Sequence, residues 1–303
     1  MRGMYPNRAF KVLIGAGAIL ALLLGAAAYR AILAGCPDSA VKIDLTCLFL
    51  PTHTDLGIHL LSYAFIGTIL LGASFWLVLW HRQRTGMALF TRNLVVLRAS
   101  DSELELLTLR LGLKDKVSLL DSEVPLCFCA GFISPHIYLS RGMIDRLTTE
   151  QLEALLLHEK HHLENYDPLK TLLGRLVASA LFFIPVLPDI FKRYLIEKEI
   201  AADQKAIRQQ GHYRGIAGAL NKLLREHSTV PAKGWAVGGA EALEYRIDNL
   251  LGRPPQDIHH IPLRHIITSF LITTVFVVTI LVPLPGSHPL NGDMASALFS
   301  LLA

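Results

Sequence analysis

The sequence predicts an α-helical integral membrane protein that carries a folded α+β domain on one side of the bilayer. Of the 303 residues, 52% are hydrophobic and 18% are charged, whereas an average soluble domain has about 25% charged residues. Three apolar stretches have the length of a spanning helix, which needs about 20 residues. Between the second and third stretches the composition is mixed, as in a domain that folds in water.

These stretches divide the chain into predicted segments, which are, in chain order, an N-terminal segment with the first membrane helix (1–34), a loop (35–57), the second membrane helix (58–80), the folded domain (81–264), the last membrane helix (265–284) and a short tail (285–303). A cleaved signal peptide is the competing interpretation of the first stretch. It rests on three consecutive alanines, Ala26–Ala28, which follow a basic start and an apolar run.

The distribution of basic residues predicts which side the domain faces. Five basic residues flank the first two stretches on one side, namely Arg2, Arg8, Lys11, Arg82 and Arg84. Residues 35–57 contain one basic residue and three Asp, and residues 265–303 contain no Lys or Arg. Because basic residues favour the cytoplasmic side of short loops, we expect a cytoplasmic N-terminus and domain. The 35–57 loop and the C-terminus are then outside.

Two cysteines, Cys36 and Cys47, lie in the loop predicted to be outside. A disulfide can persist there, and the ten residues between them make a bridge feasible. Two unpaired thiols are the alternative. Cys127 and Cys129 lie in the part predicted to be cytoplasmic and reducing.

Within the domain, local patterns predict short strands followed by helices. A helix is expected from about Ser102 to Leu111, and residues 124–139 are typical of one or two strands joined by a turn. Thr148 and Gln151 have the spacing of a capping box. The helix that they begin is expected to run from Thr149 to about Asn165.

That helix contains His158-Glu159-Lys160-His161-His162, which matches the pattern HExxH. Residues four apart share one helix face, so His158 and His162 can bind one metal ion. Glu159 lies beside that face and can act as a general base on a water molecule. The alternative is a surface helix with a solvated charged face, since three fixed positions also occur by chance.

A second charged helical pattern, Glu197-Lys-Glu-Ile-Ala-Ala-Asp203, lies downstream. A catalytic zinc ion takes three protein ligands, and Glu199 could be the third, with one zinc per chain. Asp203, one turn later, and Asp167, five residues after His162, are candidates for accepting a hydrogen bond from a ligand histidine.

HExxH followed by ExxxD resembles the membrane-embedded gluzincin metallopeptidases, and within them the BlaR/MecR family of regulatory peptidases. The resemblance covers roughly residues 124–252 and includes LTTEQLEALLLHEKHHLENYDPL and EKEIAAD. It implies a zincin-like zinc endopeptidase with His158, His162 and Glu199 as ligands and Glu159 as the base. It also implies that the strand before the helix pairs with an extended substrate. The expected strand residues are Ile133, His136, Ile137, Tyr138 and Leu139.

The resemblance further implies a bacterial plasma-membrane protein that acts in regulatory signalling by antirepressor-like proteolysis. Expected substrates are a cytoplasmic repressor, a membrane protein or another copy of the chain, and no pattern indicates direct nucleic-acid binding. About 20 residues follow Val282, too few for the penicillin-binding sensor domain of antibiotic-sensing members. The alternatives are a quality-control protease of the HtpX or CAAX type and a non-catalytic zinc-binding transmembrane transducer.

Residues 169–191 form a weaker apolar stretch, interrupted by charged residues and prolines. One full crossing would place His162 and Glu199 on opposite sides of the bilayer, although both must lie about 2 Å from the zinc. We therefore expect this stretch to be re-entrant or interfacial, with a turn near Pro185–Pro188. A buried helix of the domain core is the alternative.

Overall fold

The computed structural model describes most of the domain and the helices at both ends of the chain. The described residues are 6–34, 74, 77–78, 81, 96–97, 102–227, 239–253 and 260–281. The loop with Cys36 and Cys47, most of the second predicted membrane helix and the C-terminal tail lie outside them. The predictions for these segments therefore stay predictions.

The described part combines many helices with one small sheet, as the sequence predicted for the domain. Its elements are, in chain order, α1 (Pro6–Ala34), β1 (Val96–Leu97), α2 (Ser102–Arg110), β2 (Val117–Leu120), β3 (Cys127–Ala130), β4 (His136–Ser140), α3 (Arg141–Arg146), α4 (Thr149–Glu164), α5 (Asp167–Ala180), α6 (Val186–Gln210), α7 (Arg214–His227), α8 (Gly239–Leu250) and α9 (Leu263–Leu281).

The four strands form one sheet in the order β1-β2-β4-β3. β4 runs parallel to β2 and antiparallel to β3, and β1 runs antiparallel to β2. Gly131 begins the turn between β3 and β4 with a φ of 105°, which side chains other than glycine rarely adopt. The two strands expected within residues 124–139 are thus present, whereas β2 was not predicted.

The strand at Ile133–Leu139, which was predicted to pair with an extended substrate, has no free edge for such pairing. β4 is an interior strand, since Ile137 pairs with Val117 of β2 on one side and with Cys129 of β3 on the other. Its backbone groups are therefore used within the sheet. The remaining predicted residues of this strand are His136, Tyr138 and Leu139, which lie in β4. Ile133 precedes the strand in the turn, where it is 91% exposed. In the described part of the chain, the edge strand on this side is β3.

Helix α4 begins at the predicted capping box. The Thr148 side chain accepts a hydrogen bond from the Gln151 backbone, and the Gln151 side chain accepts one from the Thr148 backbone. The helix packs its leucines against the sheet in one apolar cluster, which includes Leu152, Leu155, Leu156, Ile137 and Leu139. Because one face of α4 is fixed on the sheet, the position of its other side chains is fixed as well.

A second apolar cluster joins α1 to the hairpin of α5 and α6. Its buried residues are Leu13, Leu20, Ala178, Leu181, Ile184, Leu187, Phe191, Tyr194 and Leu195. The chain turns between the two helices at residues 181–185, next to the prolines where the sequence predicted a turn. Helix α9 packs on the same cluster through Ile272.

Helices α1 and α9 occupy the positions of the first and last predicted membrane helices. Within the described ranges, no helix combines the length and the uninterrupted apolar character that a bilayer crossing requires.

Candidate metal centre

Three side chains from two helices meet at one point. His158 and His162 come from α4, and Glu199 comes from α6, which packs along α4. The Nε2 atoms of the two histidines are 3.1 Å apart. Glu199 Oε2 lies 3.3 Å from His158 Nε2 and 3.6 Å from His162 Nε2. The structure therefore brings together the three residues that the sequence proposed as ligands.

The spacing of these atoms fits a tetrahedral metal ion. Zinc bonds of about 2.0–2.1 Å place tetrahedral ligand atoms about 3.3–3.4 Å apart, close to the separations of 3.1, 3.3 and 3.6 Å between the three atoms. Two imidazole nitrogens and one carboxylate oxygen are also a donor set that zinc takes in catalytic sites. His158, His162 and Glu199 could thus hold a metal ion.

Each histidine contacts a carboxylate through its other ring nitrogen. His158 Nδ1 is 2.8 Å from Asp203 Oδ1, and His162 Nδ1 is 2.8 Å from Asp167 Oδ2. Both aspartates are buried. A carboxylate that accepts from Nδ1 fixes the ring orientation and leaves the lone pair of Nε2 for a metal ion. Asp203 and Asp167 thus lie where the sequence placed them.

We expect Asp167→Asn to weaken zinc binding by about 10–100-fold, because the amide can still accept from His162 but no longer carries the charge that raises its basicity. Zinc affinity measured by competition with a fluorescent chelator checks this. Asp145→Asn removes an exposed carboxylate from α3 and is the matched control. Equal affinities in the two variants would contradict the role given to Asp167.

Two cations to which the sequence assigned no role complete the centre. The Arg246 guanidinium donates two hydrogen bonds of 2.8 Å to Asp203, one to each oxygen, and its Nη1 lies 3.7 Å from Glu199 Oε2. Lys198 Nζ lies 2.9 Å from Glu199 Oε1, the oxygen that faces away from the histidines. Arg246 thus holds Asp203 in place, and Lys198 orients Glu199.

Neither Arg246 nor Lys198 could be assigned to this centre from local sequence patterns, and the reasons differ. Arg246 lies 43 residues after Asp203 on α8, and no spacing rule connects the two positions. Lys198 neighbours the candidate ligand Glu199, but a lysine in a run of charged helical residues usually reaches solvent. Only the packing of α6 shows that Lys198 is buried.

The formal charges of the centre leave room for a divalent cation. Glu159, Asp167, Glu199 and Asp203 carry four negative charges, and Lys198 and Arg246 carry two positive charges, which leaves two negative charges when both histidines are neutral. These groups are buried or nearly so. Because a buried net charge is costly, a divalent ion between His158 and His162 would stabilise the arrangement.

The same carboxylates raise the pKa values of the two histidines. Burial alone would lower the pKa of His162, but Glu199 and Asp167 outweigh it and raise that pKa to about 10. Burial and Arg246 act to lower the pKa of His158, while hydrogen bonds to Asp203 and Glu199 prevail and raise it. Burial raises the pKa of Glu199, but Lys198 and His162 bring it well below its usual value.

Zinc affinity should therefore rise with pH. With a pKa of about 10, His162 is protonated at neutral pH until a metal displaces that proton, so affinity increases about tenfold per pH unit for each proton released. We expect this increase between about pH 6.5 and 9, and calorimetry in buffers of different ionisation enthalpy should detect proton release at pH 7. An affinity that is constant over this range would contradict the expectation.

Glu159, the predicted base, lies at the edge of this cluster. It is buried on α4, and its charge contributes to the raised pKa values of Lys198 and Arg246. It also adds to the effect of burial in raising the pKa of the Cys129 thiol on β3. Glu159 therefore lies within electrostatic range of the two cations of the centre and of the edge strand β3.

Comparison with known families agrees with this site. A model described as BlaR1 peptidase M56 matches residues 50–250, about two thirds of the chain. The chain belongs to the BlaR1 peptidase M56 family. Membership confirms the resemblance inferred from HExxH and ExxxD and supports a membrane-associated metallopeptidase. The matched residues include α4, α6 and Arg246, and so every side chain of the centre.

A curated relative of this M56 chain is a protease HtpX homolog from Sulfurovum sp. (strain NBC37-1). The two are 25% identical over 150 residues, which cover 39% of this chain and 54% of the relative. The chain thus spans about half the length of the curated relative it matches. Both comparisons indicate peptidases, and neither favours the HtpX-type role over the M56-type role.

Proposed function

We propose that this chain is a zinc-dependent endopeptidase of the bacterial plasma membrane, which cleaves a protein at the cytoplasmic face as a step in regulatory signalling. The observation that carries the proposal is the convergence of His158, His162 and Glu199 within 3.6 Å of one another. A general base, Glu159, lies beside them on α4. A purely structural metal site has no use for such a base.

The chemistry follows from the roles of these side chains. Zinc held by His158, His162 and Glu199 would supply a Lewis acid that polarises the scissile carbonyl and acidifies water. Asp203 and Asp167 keep the histidine rings oriented. Glu159 accepts a proton from the attacking water and delivers it to the leaving amine.

The edge strand β3 is the better candidate for binding an extended substrate. The Ser140 backbone N–H donates to Leu126 O, and hydrogen-bonded pairs alternate along an antiparallel ladder. In the observed register, Phe128 then bonds to β4, whereas the backbone groups of Cys127 and Cys129 point to the open edge. Helix α4, which carries Glu159, packs against β3, so this edge lies close to the helix of the base.

Proline at position 129 tests this strand. Cys129→Pro removes a backbone donor from the open edge but no hydrogen bond to β4. One hydrogen bond contributes about 0.5–1.5 kcal/mol, so we expect kcat/KM to fall about 2–10-fold. Cys129→Ala, which keeps the N–H group, is the matched control. An unchanged kcat/KM in the proline variant, with the fold confirmed by circular dichroism, would exclude substrate pairing at this residue.

Helices α1 and α9 are the proposed membrane anchors in the described part of the chain. Both expose large apolar side chains along their length, which include Val12, Ile19 and Leu22 on α1 and Ile267, Phe270, Leu271 and Val275 on α9. Lipid would cover such surfaces. The bias of basic residues towards the domain side supports a cytoplasmic active site.

Substrate trapping distinguishes the signalling role from quality control. A Glu159→Gln variant that binds zinc but does not cleave should retain its substrate through purification from the membrane. Capture of one regulator, such as a repressor, a specific membrane protein or the chain itself, would support signalling. Capture of many misfolded membrane proteins would support the HtpX-type alternative, and zinc without cleavage by the unmodified protein would support a non-catalytic transducer.

A further inference from the structure

Each aspartate beside the candidate metal ligands is itself held by a further side chain. On one side of the centre, Asp203 accepts hydrogen bonds from Arg246 at both oxygens. On the other side, the two oxygens of Asp167 contact different partners. Oδ2 lies 2.8 Å from His162 Nδ1, and Oδ1 accepts a hydrogen bond of 3.3 Å from the hydroxyl of Tyr194. Tyr194 thus holds Asp167 as Arg246 holds Asp203.

Burial of Tyr194 makes this contact a fixed one. The side chain lies on α6 and is 1% exposed, and a hydroxyl buried in this way needs a protein partner. One oxygen of Asp167 contacts this hydroxyl and the other contacts the ring of His162, so the carboxyl group has little freedom to rotate. The hydroxyl of Tyr194 therefore helps to set the orientation of the His162 ring.

The ring of Tyr194 is held in turn by α1. Its centroid lies 5.4 Å from that of Phe10, at an angle of 43°. Phe10 packs against the apolar cluster that contains Tyr194. The ammonium group of Lys170, which lies three residues after Asp167 on α5, is 6.0 Å from the centre of the Phe10 ring. Phe10 therefore lies beside both helices that supply the pair of Tyr194 and Asp167.

Close contacts fix the position of α1 along α5. An added Cβ at Gly17 of α1 would lie 2.6 Å from Val177, and one at Gly174 of α5 would lie 3.2 Å from Leu13. Distances this short leave no room for a side chain, so the two helices meet in one register. Packed interfaces of this kind shift between discrete arrangements rather than deform continuously. A change in this register would therefore move the ring of Phe10.

We propose that Tyr194 is a positioning residue for the metal centre and that it connects α1 to His162. The route runs from Phe10 to the ring of Tyr194, through its hydroxyl to Asp167, and from the other oxygen of Asp167 to the histidine. Displacement of α1 would withdraw the hydroxyl, free the carboxyl group to rotate and loosen the orientation of the histidine ring. The inference concerns metal binding, so it goes beyond the proposed proteolysis and does not depend on it.

Tyr194→Phe tests the hydroxyl, because it keeps the ring against Phe10 and removes only the donor to Asp167. We expect the zinc affinity of the full chain in detergent, measured by competition with a fluorescent chelator, to fall about 2–10-fold, the range of one hydrogen bond. Tyr213→Phe removes the same group from a side chain that is 56% exposed and is the matched control. Equal zinc affinities of the two variants would overturn the proposal.

Cobalt in place of zinc separates positioning from a general loss of stability. The visible absorption of bound Co²⁺ depends on the arrangement of its ligands, and only folded, loaded protein contributes to it. We expect Tyr194→Phe to shift or weaken these bands, because His162 is held less firmly, and Tyr213→Phe to leave them unchanged. A spectrum of Tyr194→Phe identical to that of the unmodified protein would show that the hydroxyl contributes only to stability, and the positioning role would be wrong.

A double-mutant cycle tests the route from α1. Phe10→Ala removes the ring that contacts Tyr194, and Phe270→Ala, which removes an exposed ring from α9, is its matched control. We expect Phe10→Ala to weaken zinc binding at least about 2-fold in the unmodified chain but to have no further effect in Tyr194→Phe, because coupled residues are non-additive. The same loss in both backgrounds, or no loss in either, would refute the role of α1. Phe10→Leu, which keeps more of the volume, replaces Phe10→Ala if that variant does not fold.

Discussion

Glu159→Gln is expected to lower kcat/KM by about 10²–10⁴-fold, the usual contribution of general acid–base catalysis, while one zinc ion per chain stays bound. Glutamine has the size of glutamate but cannot accept the proton of the attacking water. The candidate metal ligands His158, His162 and Glu199 are unchanged. Cleavage of unfolded casein and metal analysis of the same purified sample measure both properties.

The matched control is Glu164→Gln on the same helix. Glu164 is exposed and lies 3.6 Å from Lys160 in a surface ion pair, which contributes about 0–1 kcal/mol at most. We expect its activity and zinc content to remain unchanged. Full proteolysis by the Glu159 variant, in material free of other proteases, would show that Glu159 is not the base.

His158→Ala is expected to remove both zinc and activity. Two protein ligands would remain of the three that a catalytic zinc site uses, and the ring that connects Asp203 to the metal would be lost. Asp203 would keep its two hydrogen bonds from Arg246, so no buried carboxylate is left unpaired. Metal content after purification should fall from about one zinc per chain to a small fraction.

His161→Ala is the control for this change. His161 lies next to His162 but is not part of the ligand cluster. Burial and the neighbouring His162 lower the pKa of its imidazole to about 4, so His161 is neutral at physiological pH. Zinc content and activity should therefore match those of the unmodified protein. Retained stoichiometric zinc in His158→Ala would refute the assignment of His158 as a ligand.

Features that depend on neighbouring residues in the sequence were predictable. The capping box at Thr148 set the start of α4, and the spacing of four between His158 and His162 placed both on one face. Asp167, five residues after His162, also lies at its expected partner. Glu199 and Asp203 required only that a second helix pack on the first, and the four-residue spacing between them is again local.

Features that depend on the pairing of distant segments were not predictable from local patterns. The family resemblance implied that the strand at Ile133–Leu139, which precedes the HExxH helix, binds the substrate. Whether a strand is interior or at an edge depends on which neighbours pair with it, and β2 was not predicted. In the observed order β1-β2-β4-β3 the open edge lies at β3, the strand proposed to bind the substrate.

Some features of the α+β domain follow from local sequence, and others follow from the packing of distant segments. The sequence by itself determined the helix that carries HExxH, with His158, Glu159 and His162 and the nearby Asp167, because spacing along a helix is a local property. It offered Glu199 and Asp203 through a second local pattern. Only the tertiary structure decided that Arg246 and Lys198 compensate the buried carboxylates and that β3 is the open edge. These features arise from contacts between segments tens of residues apart, which packing selects and local spacing does not encode.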